Sequence, residues 1–126
     1  MSTKIRIAII EDDPAIVQMY KDKFVGSGYQ VGTAADGAEG LELIKDFRPE
    51  IILLDLMMPG VDGFELLERL RQLPGGKEVK VVVLTNMGDS ETAARVLEHG
   101  ADDYIIKAEL TPTEVEERLQ KVLKRK

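Results

Sequence analysis

The chain has 126 residues, 44% hydrophobic and 32% charged, a length and balance that fit one globular domain spanning 1–126 and exclude a disordered chain. With no cysteine, disulfides, zinc–thiolate sites and thiol chemistry are excluded. A net charge of −6 argues against direct nucleic-acid binding, which draws its affinity from neutralised phosphates, and the apolar runs are too short to span a bilayer.

In chain order, Met1-Ser2-Thr3-Lys4 leads straight into a strand without a signal-peptide pattern, so a soluble cytoplasmic protein is expected. The first strand is read over Ile5 to Ile10. A helix follows Asp13-Pro14, an N-cap and a first-turn proline, with Ile16, Tyr20 and Phe24 on one face and Gly26-Ser27-Gly28 as its stop. The second strand runs Tyr29 to Ala34, and its helix carries Ala38, Leu41 and Ile44 before Pro49. The third strand, Ile51 to Asp55, is apolar on consecutive residues, the mark of burial on both faces. Phe64, Leu67 and Leu70 stripe the third helix, which Pro74-Gly75-Gly76 ends. The fourth strand is Val79 to Thr85 and its helix about Asp89 to His99, closed by Gly100. The fifth strand is Asp102 to Lys107. The last helix enters through Thr111-Pro112 with Glu114 completing a capping box, carries Val115, Leu119 and Val122, and ends in Lys121, Lys124, Arg125 and Lys126, cations suited to a helix C-terminus.

Five β-α units in succession predict an α/β fold, a doubly wound parallel sheet of five strands with five helices. In such sheets the functional crevice lies beyond the carboxyl ends of the strands. Those ends hold Glu11-Asp12-Asp13, Asp55, Thr85 and Lys107. Crowded carboxylates repel, and a hard cation such as Mg²⁺, which takes oxygen ligands and phosphates, relieves the conflict. Lys107 can pair with Asp55 or with a phosphoryl oxygen, and Thr85 can donate to another. A carboxylate nucleophile with a cation, a lysine and a hydroxyl makes a site for a transferring phosphoryl group. Several residues are given plainer readings. Asp13 is an N-cap, Asp62-Gly63 shapes a turn, Asp102-Asp103 is solvated, and His99 stands at a helix end rather than serving as donor or ligand.

Ala8-Ile9-Ile10-Glu11-Asp12-Asp13-Pro14, Leu54-Asp55-Leu56-Met57-Met58-Pro59-Gly60-Val61-Asp62-Gly63, Leu84-Thr85 and Asp103-Tyr104-Ile105-Ile106-Lys107 together resemble the bacterial response-regulator receiver family. The resemblance spans essentially the whole chain and implies strand order 2-1-3-4-5 in a flavodoxin-like sheet. It implies Asp55 as phosphoacceptor, with Mg²⁺ held by Asp12, Asp55, the Met57 backbone carbonyl and, through water, Glu11. Thr85 and Lys107 would bind the phosphoryl group, and Thr85 and Tyr104 would form a switch pair. The implied partners are a sensor histidine kinase or histidine phosphotransfer protein, and a target met through the face of the fourth helix, fifth strand and fifth helix. The protein would be no enzyme in the usual sense, only accepting and slowly losing its own phosphoryl group, as a monomer or a phosphorylation-dependent dimer. The chain stops after the last helix, which fits a single-domain regulator acting by contact or the receiver of a longer protein.

Four positions set this chain apart from the commonest family pattern. Ala108 replaces the proline after Lys107, so a trans peptide is expected there, since a cis bond without proline costs about 2.5–4 kcal/mol. Asn86 replaces a small residue beside the site. Met57 and Met87 cannot orient an attacking water well, which predicts a long-lived phosphoryl state. Two rivals share the architecture. An FMN carrier needs a Ser/Thr/Gly-rich phosphate loop where Glu11-Asp12-Asp13 stands. An aspartyl phosphatase needs a second acid two positions after Asp55, where Met57 stands. A metal-binding scaffold that is never phosphorylated would leave Lys107 and Thr85 without a task.

Overall fold

Runs of β-branched and leucine residues form five parallel strands in the computed structural model, which describes residues 4–56, 58, 62–86, 90–107 and 109–125. They are β1 (Arg6–Ile10), β2 (Gln30–Ala34), β3 (Ile51–Asp55), β4 (Lys80–Thr85) and β5 (Asp103–Ile106). Each precedes a helix: α1 (Pro14–Gly26), α2 (Gly37–Phe47), α3 (Gly63–Gln72), α4 (Ser90–Glu98) and α5 (Pro112–Leu123). The strand order is β2-β1-β3-β4-β5, as the family resemblance implies. Met57, Met87, Ala108 and hence the Lys107-Ala108 peptide lie outside the described residues. So do Pro59, Gly60, Val61 and Asp89.

Alternation along the strands explains the two-faced core. Ile7 and Ile9 of β1 with Leu53 of β3 meet Tyr20 and Phe24 of α1 and Val115, Leu119 and Val122 of α5. Ala8 and Ile10 with Leu54 meet Ile44 of α2, Leu66, Leu67 and Leu70 of α3, and Val96 of α4. Helices on both faces account for strands that are apolar at every position. Among the described residues no helix is long and apolar enough to cross a membrane.

The local punctuation acts as expected at several ends. Asp13 caps α1, accepting from the Ala15 and Ile16 amides, and Thr111 with Glu114 completes a capping box on α5. Asp62 does more than shape a turn, because its side chain accepts from the Glu65 amide and caps α3. Four strands begin one residue later than read, and β5 also stops before Lys107. Asp102 and Lys107 each donate only one backbone bond toward β4, to Val81 and Thr85, and so flank the ladder.

Two expectations need correction. Ala38 is exposed, and α2 instead turns Gly37, Gly40 and Ile44 inward. A Cβ on Gly40 would stand 2.9 Å from Leu66 Cδ1 and 3.0 Å from Ile10 Cδ1, so the missing side chain lets α2 approach the sheet. A search for apolar stripes overlooks such a glycine. Asp102 and Asp103, read as solvated, are both engaged. Asp102 Oδ2 accepts from the Val81 amide at 2.8 Å and lies 3.4 Å from Arg71 Nη2. Asp103 takes a two-pronged grip from Arg118 of α5, at 2.9 and 2.7 Å.

Candidate functional site

Register assembles the site. Ile10 of β1 stands opposite Leu54 of β3, so the next residues, Glu11 and Asp55, emerge side by side at the carboxyl edge. Asp12 follows before α1 begins. One carboxylate oxygen from each of Glu11, Asp12 and Asp55 lies within 4.8 Å of the others. Glu11 and Asp55 are buried while Asp12 is exposed. Three hard oxygen donors at this spacing, one of them open to solvent, form a group able to hold a divalent metal ion. A cleft of about 290 Å³ opens over them, lined also by Asp13, Ile16, Asn86 and Lys107.

Lys107 reaches in from just beyond β5. Its Nζ lies 2.9 Å from Glu11 Oε2 and 3.5 Å from Asp55 Oδ1. Burial works to lower the pKa of this ammonium. The hydrogen bond to Glu11 and the negative charge of Asp55 outweigh it and hold Lys107 above the ordinary 10.5. The ammonium thus spans both buried carboxylates and sits closer to Glu11, where Asp55 was the expected partner. The other Glu11 oxygen accepts from the Asp13 amide at 3.2 Å, which orients the carboxylate. Below the site, burial pushes the Tyr20 hydroxyl above its usual pKa, against the opposing charge of Lys107.

Thr85 ends β4 fully buried, and its backbone carbonyl accepts from Lys107 N at 2.8 Å, tying the lysine's position to the end of β4. Tyr104 pairs with Val83 across the β4–β5 ladder and packs half-buried on the α2–α3–α4 face. Asp103, next to it, points the other way, toward α5. The expected site residues Glu11, Asp12, Asp55 and Lys107 therefore meet in one crevice. Thr85 stands at the adjoining strand end and Tyr104 two strand residues before Ile106. Asn86 lines the cleft, as its position beside Thr85 foretold. Sequence reasoning missed the Asp13 amide as the group that fixes Glu11, since any residue supplies a backbone donor and leaves no sequence signal.

A family model for the response regulator receiver domain matches residues 7–120. The chain is 40% identical, over 93% of its length, to 47% of the DNA-binding dual master transcriptional regulator RpaA of Synechocystis. It is 35% identical, over 95% of its length, to 52% of the phosphate regulon transcriptional regulatory protein PhoB of Rhizobium meliloti. The chain spans about half the length of such curated relatives. Among solved structures, a putative response regulator from Chloroflexus aurantiacus aligns with TM-score 0.90 and 33% identity, covering 98% of this chain and 100% of that one. The chemotaxis response regulator CheY4 of Vibrio cholerae aligns with TM-score 0.89 and 29% identity, covering 95% and 99%. Sheet order, acidic crevice and near-complete alignment agree, and the chain belongs to the response-regulator receiver family of two-component systems.

Proposed function

We propose that this receiver is a phosphorylation switch in which Asp55 accepts a phosphoryl group from a phosphohistidine on a sensor kinase or phosphotransfer protein. The observation that carries the reading is the meeting of Glu11, Asp12 and Asp55 within 4.8 Å, with Lys107 between the two buried carboxylates. The donor set is all oxygen and acidic, which suits Mg²⁺ held by Asp12 and Asp55, with Glu11 through water and the Met57 carbonyl completing the set. When bound, Mg²⁺ would neutralise negative charge on the phosphoryl oxygens.

The chain's own residues do the rest. An Asp55 carboxylate oxygen attacks phosphorus, the P–N bond to the donor imidazole breaks, and the departing ring nitrogen takes up a proton. Lys107 exchanges its contact with Asp55 for one with a phosphoryl oxygen, and Thr85 donates its hydroxyl to another. Catalysis here is placement and charge stabilisation, with no turnover of a released substrate. Movement of Thr85 toward the phosphoryl group makes room for Tyr104 to turn inward, shifting an existing equilibrium and altering the α4–β5–α5 face that a target reads.

Incubation with acetyl phosphate and Mg²⁺, followed by intact mass, tests this directly. Wild type should gain the mass of one phosphoryl group, and neither Asp55→Asn nor wild type in EDTA should gain it. Equal labelling of Asp55→Asn would sink the assignment.

A further inference from the structure

At the amino ends of β3 and β4, away from the Asp55 crevice, a cavity of about 390 Å³ opens between the last turns of α2 and α3. A volume of that order suits a small organic ligand. The buried Ile44 and Leu70 and the half-buried Leu73 and Val79 make its walls apolar, while Lys45 and Arg48 stand exposed at its rim. The wall over 76–79 is held in place by Arg71, whose Nη1 donates to the Gly76 carbonyl at 2.7 Å and to the Val79 carbonyl at 2.6 Å.

The fold itself makes no use of the two rim side chains. Among the described residues neither Lys45 nor Arg48 forms a side-chain hydrogen bond or ion pair. No carboxylate lines the cavity, in a protein of net charge −6. Arg48 also adopts φ 52°, the only positive φ at a non-glycine position among the described residues. It closes α2, where glycine would avoid the Cβ penalty, so arginine costs stability there. The backbone gains nothing from its guanidinium, because Arg6 Nε donates to the Phe47 and Arg48 carbonyls at 3.0 and 2.8 Å. Those bonds also occupy helix-end carbonyls that would otherwise repel an anion.

We propose that this cavity binds a small amphipathic carboxylate, with its alkyl or aryl body against Ile44, Leu70, Leu73 and Val79 and its charge between Lys45 and Arg48. A neutral apolar molecule would leave both cations unused, and a wholly polar anion would leave the apolar wall in water. The site stands at the other end of the sheet from Asp55 and does not depend on the switch reading.

Octanoate, kept below its micelle-forming concentration, is the probe, followed by methyl ¹H–¹³C spectra of the whole chain. The methyl signals of Ile44, Leu70, Leu73 and Val79 should shift and saturate together. Each buried methylene adds roughly 4-fold in affinity, so butyrate should bind at least about 10-fold more weakly. Arg48→Gly is the sharpest variant, because glycine takes the left-handed backbone more readily. It should melt no lower than wild type and yet bind octanoate roughly 1.5- to 5-fold more weakly, the range of an exposed charge pair. Lys45→Gln should weaken binding by a similar factor. Failure of the four methyl signals to saturate, or shifts led instead by the exposed Met19, Val25 and Leu97, would overturn the site. Octanoate affinity unchanged in both variants, or matched by octanol, would overturn the carboxylate.

Discussion

At the scale of single residues, the site is a balance of buried charges in which Lys107 is the counterweight. Glu11 and Asp55 are 2% and 4% exposed, so neither carboxylate can rely on water alone for its charge. Removing the ammonium leaves two buried anions facing each other, a loss worth about 3–5 kcal/mol in a closed interior and less in a cleft that water enters. Lys107→Met is expected to lower the stability of the metal-free protein by about 2 kcal/mol, and Mg²⁺ should restore most of it by replacing the missing positive charge. Urea unfolding in EDTA and in Mg²⁺ measures both. An unchanged midpoint in EDTA would show that Lys107 balances nothing. The pair Asp103–Arg118 behaves differently. Burial alone would raise the Asp103 pKa, but the Arg118 side chain and the Tyr104 amide hold the carboxyl below its ordinary 3.8. A lowered folded-state pKa contributes stability above the unfolded value, and that stability is lost as pH falls through the folded one. Arg118 is 38% exposed, so screening limits the gain. Arg118→Gln should cost about 0.5–1 kcal/mol at pH 7, and the cost should shrink progressively as pH falls below the ordinary carboxylate value of 3.8. A cost independent of pH would mean that Arg118 acts by packing, not by charge.

At the scale of elements, caps decide where helices begin and are the part most legible beforehand. The Thr111 hydroxyl accepts from the Glu114 amide at 3.2 Å, and a Glu114 carboxylate oxygen accepts from the Thr111 amide at 3.0 Å. Those bonds hold the Glu114 carboxyl below its usual pKa. Thr111→Ala removes half of the box and should destabilise the protein by about 1 kcal/mol, read as an earlier thermal transition. Thr111→Ser should restore it. An alanine variant as stable as wild type would show that α5 is held by Val115, Leu119 and Val122 alone. Ser/Thr-x-x-Glu and Asp-Pro are local signals, and apolar runs in strands are local too, so the elements and their order could be read from the chain. Gly40, Asp102 and Arg71 could not. Gly40 matters because Leu66 and Ile10 crowd it. Arg71 matters because its guanidinium joins the 76–79 turn to Gly100 and Asp102, far along the chain. Such pairings have no period and no motif. The same holds for the Glu11–Lys107 contact: the sequence offered three carboxylates to one ammonium, and only the side-chain geometry selects between them.

At the scale of the whole molecule, sheet topology concentrates charge. The crossover leaving β1 runs to β2 on one side and the crossover leaving β3 runs to β4 on the other, which opens the crevice between the carboxyl ends of β1 and β3. The chain then delivers Glu11, Asp12 and Asp55 to that edge in a protein of net charge −6. Two unit charges at the 4.8 Å limit of this cluster repel by about 1 kcal/mol even at the dielectric constant of water. The fold therefore carries strain at its functional end that a bound cation relieves. Asp12→Asn tests this because the side chain is exposed and its loss removes charge without opening the core. In EDTA the variant should be more stable than wild type by about 1 kcal/mol. In Mg²⁺ the order should narrow or reverse, since a ligand at ten times its dissociation constant adds about 1.4 kcal/mol to the protein that binds it and nothing to one that cannot. Thermal unfolding of both proteins across a Mg²⁺ series resolves the two effects. A variant less stable than wild type in EDTA would show that Asp12 supports the fold. One that keeps the full Mg²⁺ response would place the cation elsewhere.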